Sequence, residues 1–161
     1  MPTYITSVGF TIEQSSFVAS SIMLGVTLGK VALGWINDRS AKLGILAFSV
    51  FGMIGLTFLL IGKKELAFMV AGGFLYGWAY AAVTVETALL VRTVFGTKDY
   101  AKLFSNISIA LSGGGAIMSG GWGYLVGFIS FDSILLIGMV LLIISAMLGM
   151  YSMHSGKNFK P

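Results

Sequence analysis

Apolar residues fall into five long runs along the chain, separated by short breaks that hold most of the charged side chains. Each run is long enough to cross a membrane as a helix, because roughly 20 residues at about 1.5 Å per residue cover the ~30 Å hydrocarbon layer. The pattern therefore predicts an all-α membrane protein with five transmembrane helices. The predicted spans are residues 17–36, 43–61, 66–91, 103–129 and 134–153.

The breaks between the runs differ in their basic residues, and this difference predicts the orientation. Basic loops of membrane proteins stay on the cytoplasmic side. If the first break is cytoplasmic, only Lys63 and Lys64 lie outside. We expect a multi-pass protein of the cell membrane with an external N-terminal segment and a cytoplasmic tail. The basic residues predicted inside are Arg39, Lys42, Arg92, Lys98, Lys102, Lys157 and Lys160.

Composition agrees with a lipid environment and excludes several classes of function. Of 161 residues, 57% are hydrophobic and 10% are charged, which is too much apolar side chain for one soluble core. The net charge of +4 comes from scattered basic residues, so we expect no nucleic-acid partner. The chain has no cysteine, and His154 is its single histidine. Neither a metal site nor a catalytic triad is predicted, so we expect no enzyme activity and no cofactor.

Small residues at four-residue spacing predict which spans pack closely, because they let helix backbones approach each other. Such rows occur on the first, third and fourth spans, which we expect in the interior; the same rows can instead allow a helix to flex. The second and fifth spans carry no charge and are expected to face lipid. The rows are Ser21, Gly25 and Gly29, then Gly73, Gly77 and Ala81, then Gly115, Ser119, Gly123 and Gly127.

The break between the first two spans holds a compact charged pattern. It reads Gly34-x-Ile36-x-Asp38-Arg39-x-Ala41-Lys42. This pattern resembles the helix-joining motif of the major facilitator superfamily, usually written G-x-L-x-D-R-x-G-R/K, and it lies on the predicted cytoplasmic side as that motif does. Ala41 stands where the family most often has glycine. The resemblance implies a gating motif carried by Gly34, Asp38, Arg39 and Lys42.

The rest of the chain resembles the C-terminal half of such a transporter. Residues 95–101 resemble the cytoplasmic segment that joins the tenth and eleventh helices in many bacterial members, and the glycine-rich fourth span resembles the eleventh helix. The resemblance implies that the five spans are helices eight to twelve of a partial six-helix bundle. It also implies that the N-terminal half of the transporter is missing from this chain. Residues 2–11 are then expected to be an external loop after the seventh helix.

Asp38 is predicted to act as a latch at the cytoplasmic edge. Its carboxylate can accept hydrogen bonds from the N-terminus of a neighbouring helix or from an arginine, which would hold one conformation closed. Breaking that contact would let the two halves of a transporter rock around a midplane site. The alternative is a basic turn that fixes topology and has no gating role.

Two ionisable residues inside the spans are candidates for contact with a solute. Lys30 lies eight residues before Asp38, where the oxalate/formate and monocarboxylate branches that this chain resembles usually have an arginine that contacts the anion. Its ammonium would bind a carboxylate as a point charge, or it snorkels to the interface. Glu86 lies at a similar depth by helix rise and is expected to pair with Lys30 or to couple protons. The alternatives are a local pair with Arg92 or exposure at the interface.

One face of the third span carries three hydroxyl groups. Tyr76, Tyr80 and Thr87 share that face by their spacing, so they line a wet cavity or pack between helices. The sequence as a whole predicts transport of a small solute across the lipid bilayer, with an organic anion such as a carboxylate preferred, by an antiporter or symporter using alternating access. The alternative is a truncated, non-transporting membrane fragment or an interaction subunit.

Overall fold

The computed structural model describes residues 2–97 and 99–155, and within them it contains six helices and no strand. Lys98, Lys157 and Lys160, three of the basic residues used to predict orientation, lie outside the described residues. The helices are α1 (Pro2–Ser7), α2 (Ile12–Arg39), α3 (Ala41–Ile61), α4 (Leu66–Phe95), α5 (Tyr100–Leu125) and α6 (Phe131–Ser155).

Local sequence signals explain where α2 begins and where α4 ends. The Thr11 hydroxyl accepts a hydrogen bond from the Gln14 backbone N–H at 3.2 Å, and the Gln14 side chain accepts one from the Thr11 N–H at 3.0 Å. This reciprocal capping box satisfies two donors that a helix start leaves open. At the other end of α4, Gly96 adopts a φ of 77°, which L-residues with side chains rarely adopt, and the helix stops there.

Four of the described helices are long and apolar enough to cross a membrane: α2, α3, α4 and residues Phe131–His154 of α6. The sequence predicted five spans. The fourth predicted span, 103–129, is helical over Tyr100–Leu125 but is not one of the four candidates. Its many glycines and serines lower its mean hydropathy. The protein is thus an all-helical, multi-pass membrane protein, and the count of five is not reproduced.

The N-terminal segment also differs from expectation. Residues 2–11 were predicted to be a loop, whereas Pro2–Ser7 form the short helix α1. Tyr4 and Ile5 from this helix are buried. The Tyr4 hydroxyl donates a hydrogen bond to the Leu59 carbonyl of α3 at 2.6 Å, and its ring lies 5.5 Å from the ring of Phe131 at the start of α6. Helix α1 therefore closes one end of the bundle.

Helices α2 and α4 run parallel, in a register that is constant along their length. The Ser21 hydroxyl donates to the Val70 carbonyl at 3.1 Å, and the Asn37 side chain bonds Glu86; both pairs are 49 residues apart in sequence. Helix α3 runs antiparallel to both, since Gly55 meets Gly72 near one end and Gly44 meets Glu86 near the other. The turn between α2 and α3 therefore lies at the same end of the bundle as the end of α4.

The glycine rows of α2 and α4 are packed against each other, as the sequence predicted. A Cβ atom on Gly25 would overlap the backbone carbonyl of Phe74, and one on Gly77 would lie 2.5 Å from the carbonyl oxygen of Ile22. Only glycine permits so close an approach of two backbones. Around this contact the core residues include Ile22, Val26, Leu33, Ile45, Phe48, Ala81, Ala82 and Met153.

Helices α5 and α6 lie at the edge of this core. Helix α6 packs on α3 and buries few residues, so most of its surface is free to meet lipid, as predicted. Helix α5 packs mainly against α4 and has no buried residue among those described. The prediction that its glycine row lies in the interior is therefore wrong for this structure: a Cβ on Gly115 or Gly123 would meet nothing within 4 Å.

Candidate functional site

The charged turn between α2 and α3 is a single residue long. Helix α2 ends at Arg39, Ser40 has an extended backbone and donates its N–H to the Ile36 carbonyl at 3.0 Å, and α3 begins at Ala41. Ala41 is helical, so this turn does not need the conformational freedom of the glycine that the motif usually has at this position. The tight connection of the motif is formed with alanine.

The charged side chains of the motif point away from the core. Asp38, Arg39 and Lys42 are exposed, and the Arg39 guanidinium lies 3.6 Å from the centre of the Trp35 ring, a cation–π contact. Within the described residues, Asp38 makes no hydrogen bond or ion pair. A partner for the predicted latch is therefore not supplied by those residues, and the latch stays a prediction. Gly34 is half-buried, with open space around its Cα.

Within the motif, Asn37 takes part in a buried polar contact at which three helices meet. Asn37 of α2 donates a hydrogen bond from Nδ2 to Oε1 of Glu86 on α4 at 2.9 Å, and Glu86 is only 5% exposed. Gly44 of α3 completes the contact, because a Cβ there would overlap the Asn37 side chain and lie 2.8 Å from Glu86 Oε1. We call Asn37, Gly44 and Glu86 the Asn–Glu contact.

The Asn–Glu contact keeps unused hydrogen-bonding capacity. Asn37 Oδ1 and Glu86 Oε2 are buried and have no hydrogen-bond partner among the described residues. A buried polar atom without a partner costs free energy, so its presence needs an explanation. A carboxyl group in this position can hold a proton or accept a further donor when the helices move relative to one another.

The predicted pair between Lys30 and Glu86 is not formed. Lys30 is exposed on α2, seven residues before Asn37, and the ion pair found among the described residues joins Lys63 to Asp132 at the opposite end of the bundle. Arg92 is also exposed and makes no ion pair with Glu86, and the burial of Glu86 excludes interfacial exposure. The predicted equal depth of Lys30 and Glu86 is wrong, because the register of α2 and α4 places Glu86 beside Asn37, about 10 Å further along α2 than Lys30.

A cavity of about 720 Å³ lies between α4, α5 and α6, and residues of α1 and Leu56 of α3 complete its lining. Tyr76 and Tyr80 line it, as the hypothesis of a cavity face requires. Thr87, placed on the same face by its spacing, does not line it, and its hydroxyl donates to the Val83 carbonyl at 2.6 Å. Lys30 and Glu86 are also outside the cavity lining.

Sequence reasoning missed three residues of these sites. Asn37 lies at an unspecified position of the motif, and its role follows only from the parallel register of α2 and α4, which the glycine rows could have suggested. Ser119 and Trp122 of α5 line the cavity. Ser119 was considered only as part of a packing row, and no local signal in the sequence assigns Trp122 to a cavity built from five helices.

Comparison with known proteins agrees with this architecture. The sequence model of the Major Facilitator Superfamily matches residues 1–157, which include the four candidate spans, the charged turn and every residue of the cavity. Searches of curated proteins and of solved structures each found no match. The match is to the superfamily and does not select the oxalate/formate or the monocarboxylate branch. On this match, the chain belongs to the Major Facilitator Superfamily of membrane transporters.

Proposed function

We propose that this chain supplies helices eight to twelve of a secondary transporter, which moves a small solute by alternating access, and that residues 34–42 gate its cytoplasmic end. In this register α2 to α6 are the eighth to twelfth helices. The partner of the bundle is the N-terminal half of the transporter. The cytoplasmic location of the motif, and of Arg39, Lys42, Arg92 and Lys102, is part of the same proposal.

The Asn–Glu contact is the observation that supports this proposal most strongly. It joins the motif-bearing end of α2 to α4 and to the first turn of α3, so movement at the motif and movement of the bundle are mechanically linked. Two of its buried oxygens, Asn37 Oδ1 and Glu86 Oε2, have no partner among the described residues, as expected of a contact that changes between two states of a transporter. Glu86 is thus the candidate for proton coupling, acting with Asn37 rather than with Lys30.

Asp38 lies near the Asn–Glu contact, on the exposed side of α2, and is the second residue on which the gating proposal depends. Its exposed carboxylate is free to meet a positively charged group, and such a charged hydrogen bond at the bundle edge stabilises one of two conformations. Lys30 keeps its predicted role as an anion-binding residue only if the solute passes along the outer face of α2, where its side chain is exposed.

The test measures access to the cavity from both sides of the membrane. Ser119, which lines the cavity, is replaced by cysteine in the whole expressed protein, and this chain contributes no other cysteine. Sealed vesicles of each orientation are treated with a membrane-impermeant maleimide. We expect labelling from both sides, and we expect Asp38→Asn to change the ratio of the two rates by about fivefold, as loss of about 1 kcal/mol of latch energy would.

Asp99→Asn is the matched control, since Asp99 is an exposed carboxylate outside the motif and makes no side-chain cap to α5. It should leave the ratio of rates unchanged. Labelling from one side only, with a rate that Asp38→Asn does not alter, would contradict the proposal and indicate a static membrane fragment. Protein without Ser119→Cys gives the background rate.

A further inference from the structure

The cavity between α4, α5 and α6 differs in chemistry from the rest of the candidate site. Its walls carry five aromatic side chains, with glycine, alanine and leucine residues between them. Among the described residues, no Asp, Glu, Lys, Arg or His lines it. The aromatic residues are Tyr4, Tyr76, Tyr80, Trp122 and Phe131.

Polar groups in this lining are few, and some are already engaged. The Tyr4 hydroxyl is bonded to Leu59, and the Ser119 hydroxyl donates to the Ala116 carbonyl of its own helix at 2.9 Å. Tyr76 and Tyr80 make no hydrogen bond through their hydroxyls within the described residues. They lie one turn apart on α4, so two phenol groups remain available to a bound molecule on one wall.

An anionic ligand is a poor fit for this cavity. An anion moved from water into an apolar site without a counter-ion loses several kcal/mol of solvation, and this lining offers no cation to compensate. A neutral molecule with an aromatic body loses little and gains ring contacts with the aromatic walls. The volume of about 720 Å³ is in the range of sites that take small organic molecules.

We propose that this cavity binds an uncharged amphipathic molecule, with its aromatic or aliphatic body against Trp122 and Phe131 and a hydrogen-bonding group on the hydroxyls of Tyr76 and Tyr80. The proposal rests on the proposed transport function and names the substrate class of that site. It is an alternative to the organic anion predicted from Lys30, whose side chain does not line the cavity.

Two dyes with the same aromatic body isolate the effect of charge. N-phenyl-1-naphthylamine is neutral and has one N–H donor, and 8-anilino-1-naphthalenesulfonate adds a sulfonate to the same skeleton. Each dye is tested for its ability to slow maleimide labelling of Ser119→Cys in the whole protein in nanodiscs. Ile109→Cys is the control, because Ile109 is exposed on α5 and does not line the cavity.

We expect the neutral dye to slow labelling of Ser119→Cys at least tenfold more effectively than the sulfonate, with no effect of either dye at Ile109→Cys. Tyr76→Phe combined with Tyr80→Phe should weaken protection by about fivefold, since a phenol hydrogen bond is lost while both rings remain. Each single variant, Tyr76→Phe or Tyr80→Phe, keeps one hydroxyl and should lose less protection than the double variant.

Three results would overturn the inference: equal or better protection by the sulfonate, no protection by the neutral dye, or unchanged protection in the double phenylalanine variant. The first of these would favour the organic-anion prediction instead. None of them depends on whether Ser119→Cys is labelled from both sides of the membrane without dye. Failure of the cavity proposal is therefore distinguishable from failure of the transport proposal.

Discussion

The same residue type, glycine, has opposite surroundings in two parts of the bundle. In α2 and α4, Gly25 and Gly77 lie where two backbones touch, and any side chain would collide with main-chain atoms of the other helix. In α5, the glycines from Gly113 to Gly123 lie in open space. The sequence pattern of small residues is nearly identical in the two regions.

The difference shows that a row of small residues allows a helix to pack closely but does not tell whether another helix contacts it. Close approach requires such rows on both partners at the same height, which the constant offset between α2 and α4 supplies. The row of α5 has no facing row among the described residues. Helix α5 instead contributes Ser119 and Trp122 to a cavity, where the absence of side chains on Gly123 adds space.

The largest effect is expected from adding a methyl group in each region. Gly77→Ala places a Cβ 2.5 Å from the Ile22 carbonyl and 2.8 Å from the Val26 nitrogen, so α2 and α4 must separate, at a cost of at least about 1–3 kcal/mol. Gly115→Ala meets nothing and should stabilise α5 by up to about 1 kcal/mol through helix propensity. Thermal unfolding in detergent measures the stability of both variants. If both substitutions stabilised or both destabilised the protein, the proposed difference between the two regions would be wrong.

An effect of equal or smaller size is expected from removing an amide in each region. Asn37→Ala takes the donor from buried Glu86 and should lower the free energy of unfolding by about 1–3 kcal/mol. Asn106→Ala on α5 removes an exposed amide without a hydrogen bond within the described residues, so its effect should be near zero. Denaturant unfolding of both variants checks this, and a neutral Asn37→Ala would mean that the Asn–Glu contact contributes no stability.

The smallest effect is expected from removing a phenol hydroxyl. Tyr4→Phe loses the hydrogen bond to Leu59 and should cost about 0.5–1.5 kcal/mol, whereas Tyr124→Phe at the end of α5, where the ring is 70% exposed, should cost almost nothing. Unfolding experiments at neutral pH compare the two variants. Equal costs would show that the contact of α1 with α3 is not part of the stable core.

Titration of Tyr4 gives this third comparison a pH dependence. Burial, and to a smaller extent the nearby Asp132 carboxylate, raise the pKa of the Tyr4 phenol to about 12. Because the folded state holds this proton more tightly than the unfolded chain, the stabilisation is complete below pH 10 and is lost as pH rises towards 12. Tyr4→Phe should remove this alkaline component of unfolding, and an unchanged alkaline profile would exclude Tyr4 as its source.

Much of the fold was predictable because it depends on local patterns. Long apolar runs gave the helices, and Thr11 with Gln14 and Gly96 mark helix ends that follow from capping rules. The helix-joining motif gave the family. The sequence predicted five spans, whereas four helices qualify as candidates. The difference is α5, which is long enough but too rich in glycine and serine to be clearly apolar.

The candidate sites were predicted less completely, because they depend on how the helices are shifted and packed against one another. Helix rise counted from the predicted span ends placed Lys30 and Glu86 at the same depth, whereas the constant offset of 49 residues places Glu86 beside Asn37. Lys30 lies seven residues before Asn37, on nearly the same face of α2 but about 10 Å away along its axis. Tyr76 and Tyr80 were identified by their shared face on one helix. Trp122 joins them only through the packing of α5, for which the sequence has no local signal.

The parallel course of α2 and α4 has a consequence for their basic ends. Two helices that run in the same direction bring their carbonyl termini to the same end of the bundle, each carrying about half a negative charge. Arg39 and Arg92 lie in the last turns of these helices, where a cation stabilises a helix end by about 0.3–1 kcal/mol. The residues that predict the orientation of the protein in the membrane thus also offset the repulsion between its two most closely packed helices.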